Sequence, residues 1–180
     1  MTKIETSQFT NILDKFNIKK GSNIYVGVDM IILVKLLNPK SRNLRLIADL
    51  FLKFLLSSVG KSGTVVIPVF NLDCFSKKEF DQKNSPGQSG MFGNLLLKKY
   101  YKHRTKHPMY SFLVFGNKSL KYMSINNKNA TGKDSLWKNF NDDNFELITF
   151  GHHYVRSLTH VHYLENLVNV SYRLNKTFQV

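Results

Sequence analysis

The chain has 180 residues, 42% of them hydrophobic and 13% aromatic, and carries a formal net charge of +14 from 26 basic and 12 acidic residues. That apolar content excludes disorder, and the length predicts one folded domain over residues 1–180 rather than two. The charge favours an anionic partner such as a phosphorylated cofactor or a nucleotide-linked substrate, although lysines scattered through an asparagine-rich and isoleucine-rich background also fit general solubilising charge.

In chain order, MTKIETSQF lacks the apolar core of a secretory signal and Cys74 is the single cysteine, so a reducing cytoplasm is the expected compartment. Phe9, Ile12, Leu13 and Phe16 recur at helical spacing and predict an amphipathic helix over 6–17, ended by KKGS. A strand is predicted at Ile24 to Val28. The stretches IYVGVDMIILVKLL and LRLIADLFLKFLL are broken by Asp29 and by Asp49 and Lys53, so no membrane-spanning helix is expected. Residues 43–58 read as a helix whose faces are marked by Leu46, Leu50, Lys53, Phe54 and Ser57, with Gly60 as its C-terminal cap.

GTVVIPVF reads as a buried strand ending near Pro68, and 71–90 as a polar loop. MFGNLLLKKYY predicts a short helix, and MYSFLVFG and FELITFG two further strands. There is no internal repeat or linker. The pattern predicts an α/β fold, a central sheet with helices packed on both faces.

Several motifs invite chemistry. GKSGT at 60–64 superficially resembles a phosphate-binding loop, but it follows a helix and precedes a strand, and Leu55 stands where the first glycine belongs. His152, His153, His160 and His162 suggest a metal, yet on a helix His160 and His162 point about 200° apart and no cysteine is near, so no metal is expected. On a helix starting near Thr159, His162 and Glu165 lie three apart on one face, with Val161, Leu164 and Val168 as the apolar stripe. A carboxylate that holds an imidazole builds a general base; taken alone, the pair is more commonly the polar side of a surface helix. HRTKHPMYS, His103 to Ser111, sets a cation, a hydroxyl and an imidazole before a buried strand, which suits either an anion site or a basic connecting loop. No zinc finger, basic helix or RNA-binding aromatic signature is present, and no nucleic-acid partner is expected.

Taken in order, these stretches resemble the aminoglycoside 3-N-acetyltransferase family, also called antibiotic N-acetyltransferases. GTVVIPVF is similar to the family's GT-hydrophobic-P strand at Gly63, Thr64 and Pro68, and SPGQSGMFGNLL to its TPS-x-x-G segment at Pro86 and Gly90. RTKHPMYS resembles its RS-x-HP-x-x-S signature at Arg104, His107, Pro108 and Ser111, with Thr105 standing for serine. TGKDSLW resembles G-x-x-SP at Gly132 and Ser135, THVHYLE resembles T-x-x-H-x-x-E at Thr159, His162 and Glu165, and SYRLNKTF resembles YR-x-x-K-x-F at Tyr172, Arg173, Lys176 and Phe178.

The resemblance implies an α/β/α sandwich with a central mixed sheet that binds acetyl-CoA and transfers its acetyl group to an amine of an amino sugar, without a metal or a covalent acyl-enzyme. His162, supported by Glu165, would take the proton from the attacking amine. Thr64, Arg104, Thr105, His107 and Ser111 would meet the cofactor, and Asn71 and Ser135 the acceptor. A homo-oligomer is compatible with this reading. Three departures stand out: VGVDM puts Gly27 and Asp29 where the family usually has a histidine and serines, Asn94 replaces an acid, and members typically continue past the YR element, so a C-terminal extension is expected to be lacking. They motivate the alternative of a degenerate, non-catalytic member that binds a ligand or partner. A protein with 26 bases to 12 acids would repel a polycationic aminoglycoside, so the preferred acceptor is a nucleotide-linked or acidic amino sugar.

Overall fold

Side chains alternate across a β-strand, and here that alternation divides the protein into two cores. Four strands, β1 (Asn23–Val28), β2 (Thr64–Pro68), β3 (Phe112–Gly116) and β4 (Glu146–Phe150), form one sheet in the order β3-β2-β1-β4. β1 is parallel to β2 (Ile24 opposite Val65) and to β4 (Val26 opposite Ile148), while β2 is antiparallel to β3 (Val66 opposite Val114). Ile24, Val26, Val65, Ile67, Leu113, Phe115, Ile148 and Phe150 feed one core; Tyr25, Val66, Phe112 and Val114 feed the other.

The computed structural model describes residues 9, 15–39, 43–76 and 79–177. The predicted helix over 6–17 lies mostly outside the described residues; Phe9 is fully buried against Phe51 and Phe54, and Phe16 packs on the same core. Helices α1 (Met30–Leu37), α2 (Leu44–Val59) and α3 (Met91–Tyr100) cover the first sheet face. Helices α4 (Ser119–Ser124), α5 (Leu136–Asp142) and α6 (Val161–Leu167) cover the second, through Tyr122, Trp137, Phe140 and Tyr163. The result is an α/β/α sandwich with a mixed sheet, as expected.

Three helices were not predicted. α1 follows an N-cap, Asp29, whose carboxylate accepts from the Ile31 and Ile32 amides at 2.9 and 3.2 Å, and ends at Asn38 in the left-handed region (φ 37°). Both are ordinary helix punctuation, hidden because the apolar run between them has no polar face to betray a period. α4 and α5 are too short, at 6 and 7 residues, to show a period at all. α2 forms where expected, but Ile47, Ala48, Phe51, Leu52, Leu55 and Val59 are its buried face; Leu46, Lys53 and Ser57 mark the outward side. No helix among the described residues is long and apolar enough to cross a membrane.

One ionic cluster ties α4 to the turn between α5 and β4. Asp143 receives Lys118 Nζ and Lys121 Nζ at 2.7 Å each, and Tyr122 donates its hydroxyl to the same carboxylate. Partial burial alone would raise the Asp143 carboxyl, but the hydrogen bonds from Lys118, Lys121 and Tyr122 outweigh it and hold the group well below the usual carboxylate range. A pKa depressed on folding contributes stability that is present above the unfolded value and is lost as pH falls through the folded one. Asp143→Asn should therefore cost about 1–2 kcal/mol at neutral pH, in line with loss of charge-assisted hydrogen bonds. In urea titrations the gap between variant and wild type should narrow as pH falls below about 4.

Candidate active site

The carboxyl ends of parallel strands expose backbone amides and leave a crevice between the helices that follow them, which is where α/β sheets place ligands. Here the ends of β1 and β2, the start of α3 and the loop after β4 enclose a cavity of about 460 Å³. Its lining includes Tyr25, Gly27, Asp29, Pro68, Ser89, Met91, His152, Arg156, Ser157 and Thr159. Close packing sets its floor: a β-carbon on Gly93 would fall 2.4 Å from the Pro68 carbonyl oxygen, so only glycine lets α3 start this near the end of β2.

The segment 80–89, which brings Ser89 to the cavity, is held by Arg104, which is fully buried. Its Nε donates to Ser111 Oγ at 3.0 Å, Nη1 to the carbonyls of Gln82 (3.3 Å) and Ser85 (2.5 Å), and Nη2 to the Val69 carbonyl (3.0 Å), with the guanidinium 4.7 Å from the Phe80 ring centre. Burial brings its pKa down to about 10, which still leaves a cation at neutral pH.

Ser111 Oγ donates to Val69 O at 2.8 Å, and Thr105 Oγ1 accepts from the Phe112 amide at 3.0 Å. His107 Nδ1 accepts from the Tyr110 amide at 3.0 Å; burial pushes this imidazole down, against a hydrogen bond with the Lys128 backbone that raises it. The RTKHPMYS segment thus supports the chain beside the cavity, and none of Arg104, Thr105, His107 and Ser111 lines the cavity itself.

Other expected contacts lie elsewhere. Thr64 opens β2 at the opposite end of the sheet, fully buried, where its hydroxyl accepts from the Lys118 amide at 3.2 Å, and it does not line the cavity. Asn71 is buried and holds the 71–88 loop closed, donating to the Pro86 carbonyl at 3.1 Å. Ser135 caps α5 on the second sheet face. Neither lines the cavity.

The late histidines separate. His152 lies in the cavity, His153 is exposed, and His160 is half-buried against the rings of Trp137 and Tyr163. His162 faces Glu165 one turn along α6, Nδ1 to Oε2 3.1 Å. No group of three or more metal-ligating side chains comes together among the described residues. The stripe Val161, Leu164 and Val168 does not form the buried face: Leu164 and Val168 are 41% and 70% exposed, and α6 packs through Tyr163. A seven-residue helix has only two turns to anchor, and one aromatic ring on the second core suffices.

An isolated i, i+3 pair contributes only a few tenths of a kcal/mol. Here the carboxylate has further partners: Tyr172 donates to Oε1 at 2.9 Å and Arg173 Nε to Oε2 at 2.6 Å, while Arg173 Nη2 also meets His162 Nδ1. Together His162, Arg173 and Tyr172 hold the Glu165 carboxyl down at about 2. The cluster reaches the cavity through Thr159, a lining residue whose side chain hydrogen-bonds the Tyr25 phenol and whose carbonyl accepts the His162 amide at 3.1 Å. His162 itself is not a lining residue.

A family model for aminoglycoside 3-N-acetyltransferases matches residues 42–180. The chain belongs to that family. By family it stands with the acyl-CoA-dependent N-acetyltransferases. Similar solved structures include the YokD protein from Bacillus subtilis (17% identity, TM-score 0.70, covering 89% of this chain and 69% of that one). They also include the AAC(3)-IVa apoenzyme (18%, TM-score 0.71, 92% and 61%) and AAC-IIIb with CoASH (18%, TM-score 0.69, 90% and 64%). At these identities the likeness is one of fold, and the chain spans less than two thirds of the length of the latter two. A search of curated proteins finds no match.

Sequence reasoning assigned no role to Tyr172, Arg173, Arg156, Ser157 or Tyr25. The YR dipeptide after the T-x-x-H-x-x-E segment was the available signal for the first two. Arg104→Ala should destabilise the fold by about 3 kcal/mol or more, because it removes the guanidinium donors from the carbonyls of Gln82 and Ser85 and one of the two donors from that of Val69. Arg104→Lys should recover little, since an ammonium lacks the planar fork. Thermal denaturation, with limited proteolysis between residues 80 and 89, would show both effects.

Proposed function

We propose that the chain is an acetyl-CoA-dependent N-acetyltransferase with an amino sugar as acceptor and His162 as its general base. The observation that carries this is the His162–Glu165 pair, reinforced by Arg173 and Tyr172 and joined through Thr159 to a cavity on the carboxyl ends of β1 and β2, in a chain of this family. An ammonium must lose a proton before it can attack a thioester. With the proton on Nδ1 directed at Glu165, Nε2 is free to take it, and a carboxylate ionised far below neutrality stabilises the imidazolium that forms.

Acetyl-CoA supplies the thioester. The cavity suits its reactive end: it is narrow at Gly93, and no side chain caps the first turn of α3, whose N-cap is Gly90. Arg104, Thr105, His107 and Ser111 then act on the cofactor through the chain they hold. Of the charged groups in the lining, Asp29 is engaged as the α1 cap and Arg156 is exposed, which supports an acceptor carrying negative charge, a nucleotide-linked or acidic amino sugar.

Thiol release from acetyl-CoA, measured across kanamycin, gentamicin, nucleotide-linked amino sugars and acidic amino sugars, tests the reading. Turnover should favour the anionic acceptors, and efficient acetylation of kanamycin at a low KM would sink that choice. Absence of acetyl-CoA binding by calorimetry would leave the non-catalytic alternative. His162→Ala should lower kcat by about two to four orders of magnitude.

The base must be unprotonated to act, and Glu165, held down at about 2, stays ionised well below neutrality and keeps accepting from it. Glu165→Gln removes the charge that stabilises the imidazolium and should reduce kcat in the same thiol-release assay.

A further inference from the structure

The loop after β4 holds a second pairing that the transferase reading does not use. His152 Nε2 lies 2.7 Å from Ser157 Oγ, and both line the cavity. Gly27 in β1 makes the room. Its φ is not positive, so no backbone conformation demands glycine there. A β-carbon at that position would lie 2.0 Å from Ser157 Oγ and 3.1 Å from His152 Nε2. Glycine weakens a strand, and here it opens space for a hydroxyl and an imidazole side by side at a ligand-accessible surface. The start of α3, a ten-residue helix with no side-chain cap, lines the same cavity.

A serine hydroxyl in hydrogen-bond reach of an imidazole, both lining one cavity, is the arrangement of a nucleophile with its base. We propose that Ser157, with His152 as base, accepts acyl groups from thioesters and activated esters, giving the chain a hydrolytic activity beside the transfer. His152 Nε2 takes the Oγ proton as Oγ bonds the carbonyl carbon. The tetrahedral oxyanion then collapses, the bond from carbon to the leaving sulfur or oxygen breaks, and the leaving group departs with the pair and the imidazolium proton. Water, deprotonated by His152, attacks the resulting serine ester; the carbon–Oγ bond breaks, Oγ regains the proton, and a carboxylic acid is released.

The proposal shares the cavity of the transferase reading but needs neither its base nor its acceptor, so p-nitrophenyl acetate tests it alone. The wild-type chain should release a stoichiometric burst of p-nitrophenolate, and peptide mapping should find one acetyl group on Ser157. Ser157→Ala should lose the adduct. His152→Gln keeps a side chain able to hydrogen-bond Ser157 but has no base, and should retain the melting temperature while slowing acylation by about a hundredfold or more.

A wild-type chain that forms no adduct, or an adduct that persists in Ser157→Ala, overturns the proposal, as does acylation undiminished in a folded His152→Gln. Transfer from acetyl-CoA to an amino sugar without any burst would reject this activity and leave the transferase reading standing.

Discussion

A buried cation without a carboxylate partner is costly, and this protein keeps one at the hinge of its architecture. Among the described residues no carboxylate forms an ion pair with Arg104, although the Asp81 charge acts on it; its donors go to a serine hydroxyl and to the carbonyls of Val69, Gln82 and Ser85. Each of those carbonyls lies beyond the end of β2, where the guanidinium supplies hydrogen bonds that the strand ladder does not. The loop over residues 80–89 is thereby fixed, and with it Ser89 and the start of α3, which form one side of the cavity. Lysine could supply the charge but not the planar fork that reaches separate carbonyls at once.

The opposite side of the cavity depends on β1, and there two residues do unlike work. Asp29 closes the strand and caps α1, joining itself also to β4 through its amide and the Phe150 carbonyl at 2.8 Å. Gly27 contributes only vacancy, filled from above by the loop after β4. The VGVDM segment, which departs from the family pattern, has structural work of its own. Its aspartate anchors a helix, and the imidazole near Gly27 arrives from His152 instead.

Much of this was legible because strands and their partners obey a period of two. The four strands fall within three residues of their sequence-based positions, and GTVVIPVF ends at Pro68 as its proline requires. What stayed hidden was non-periodic or non-local. α1 is apolar all round, α4 and α5 are under two turns, and α6 anchors by Tyr163 rather than by its spaced aliphatics. The His162–Glu165 pair could be read from a spacing of three, whereas His152–Ser157 could not, since a separation of five in a loop predicts no contact. Nor could composition show that Arg104 would be sealed inside: a basic motif reads as an anion site until its carbonyl partners are known.

Arg173 gives the dyad a constraint that spacing alone would not disclose. It holds Glu165 through Nε and at the same time brings Nη2 to His162 Nδ1, the atom the carboxylate also addresses. The two contacts ask for different tautomers. An arginine N–H on Nδ1 requires that nitrogen bare and leaves the proton on Nε2, whereas Glu165 accepts from Nδ1–H and leaves Nε2 bare. Only the second is a base toward a substrate at Nε2. On the proposed reading, with His162 as base, Arg173 remains on the carboxylate, keeping it ionised, while its Nη2 gives way to the Nδ1–H bond. The arginine that strengthens the carboxylate is also the group that must yield for the histidine to act.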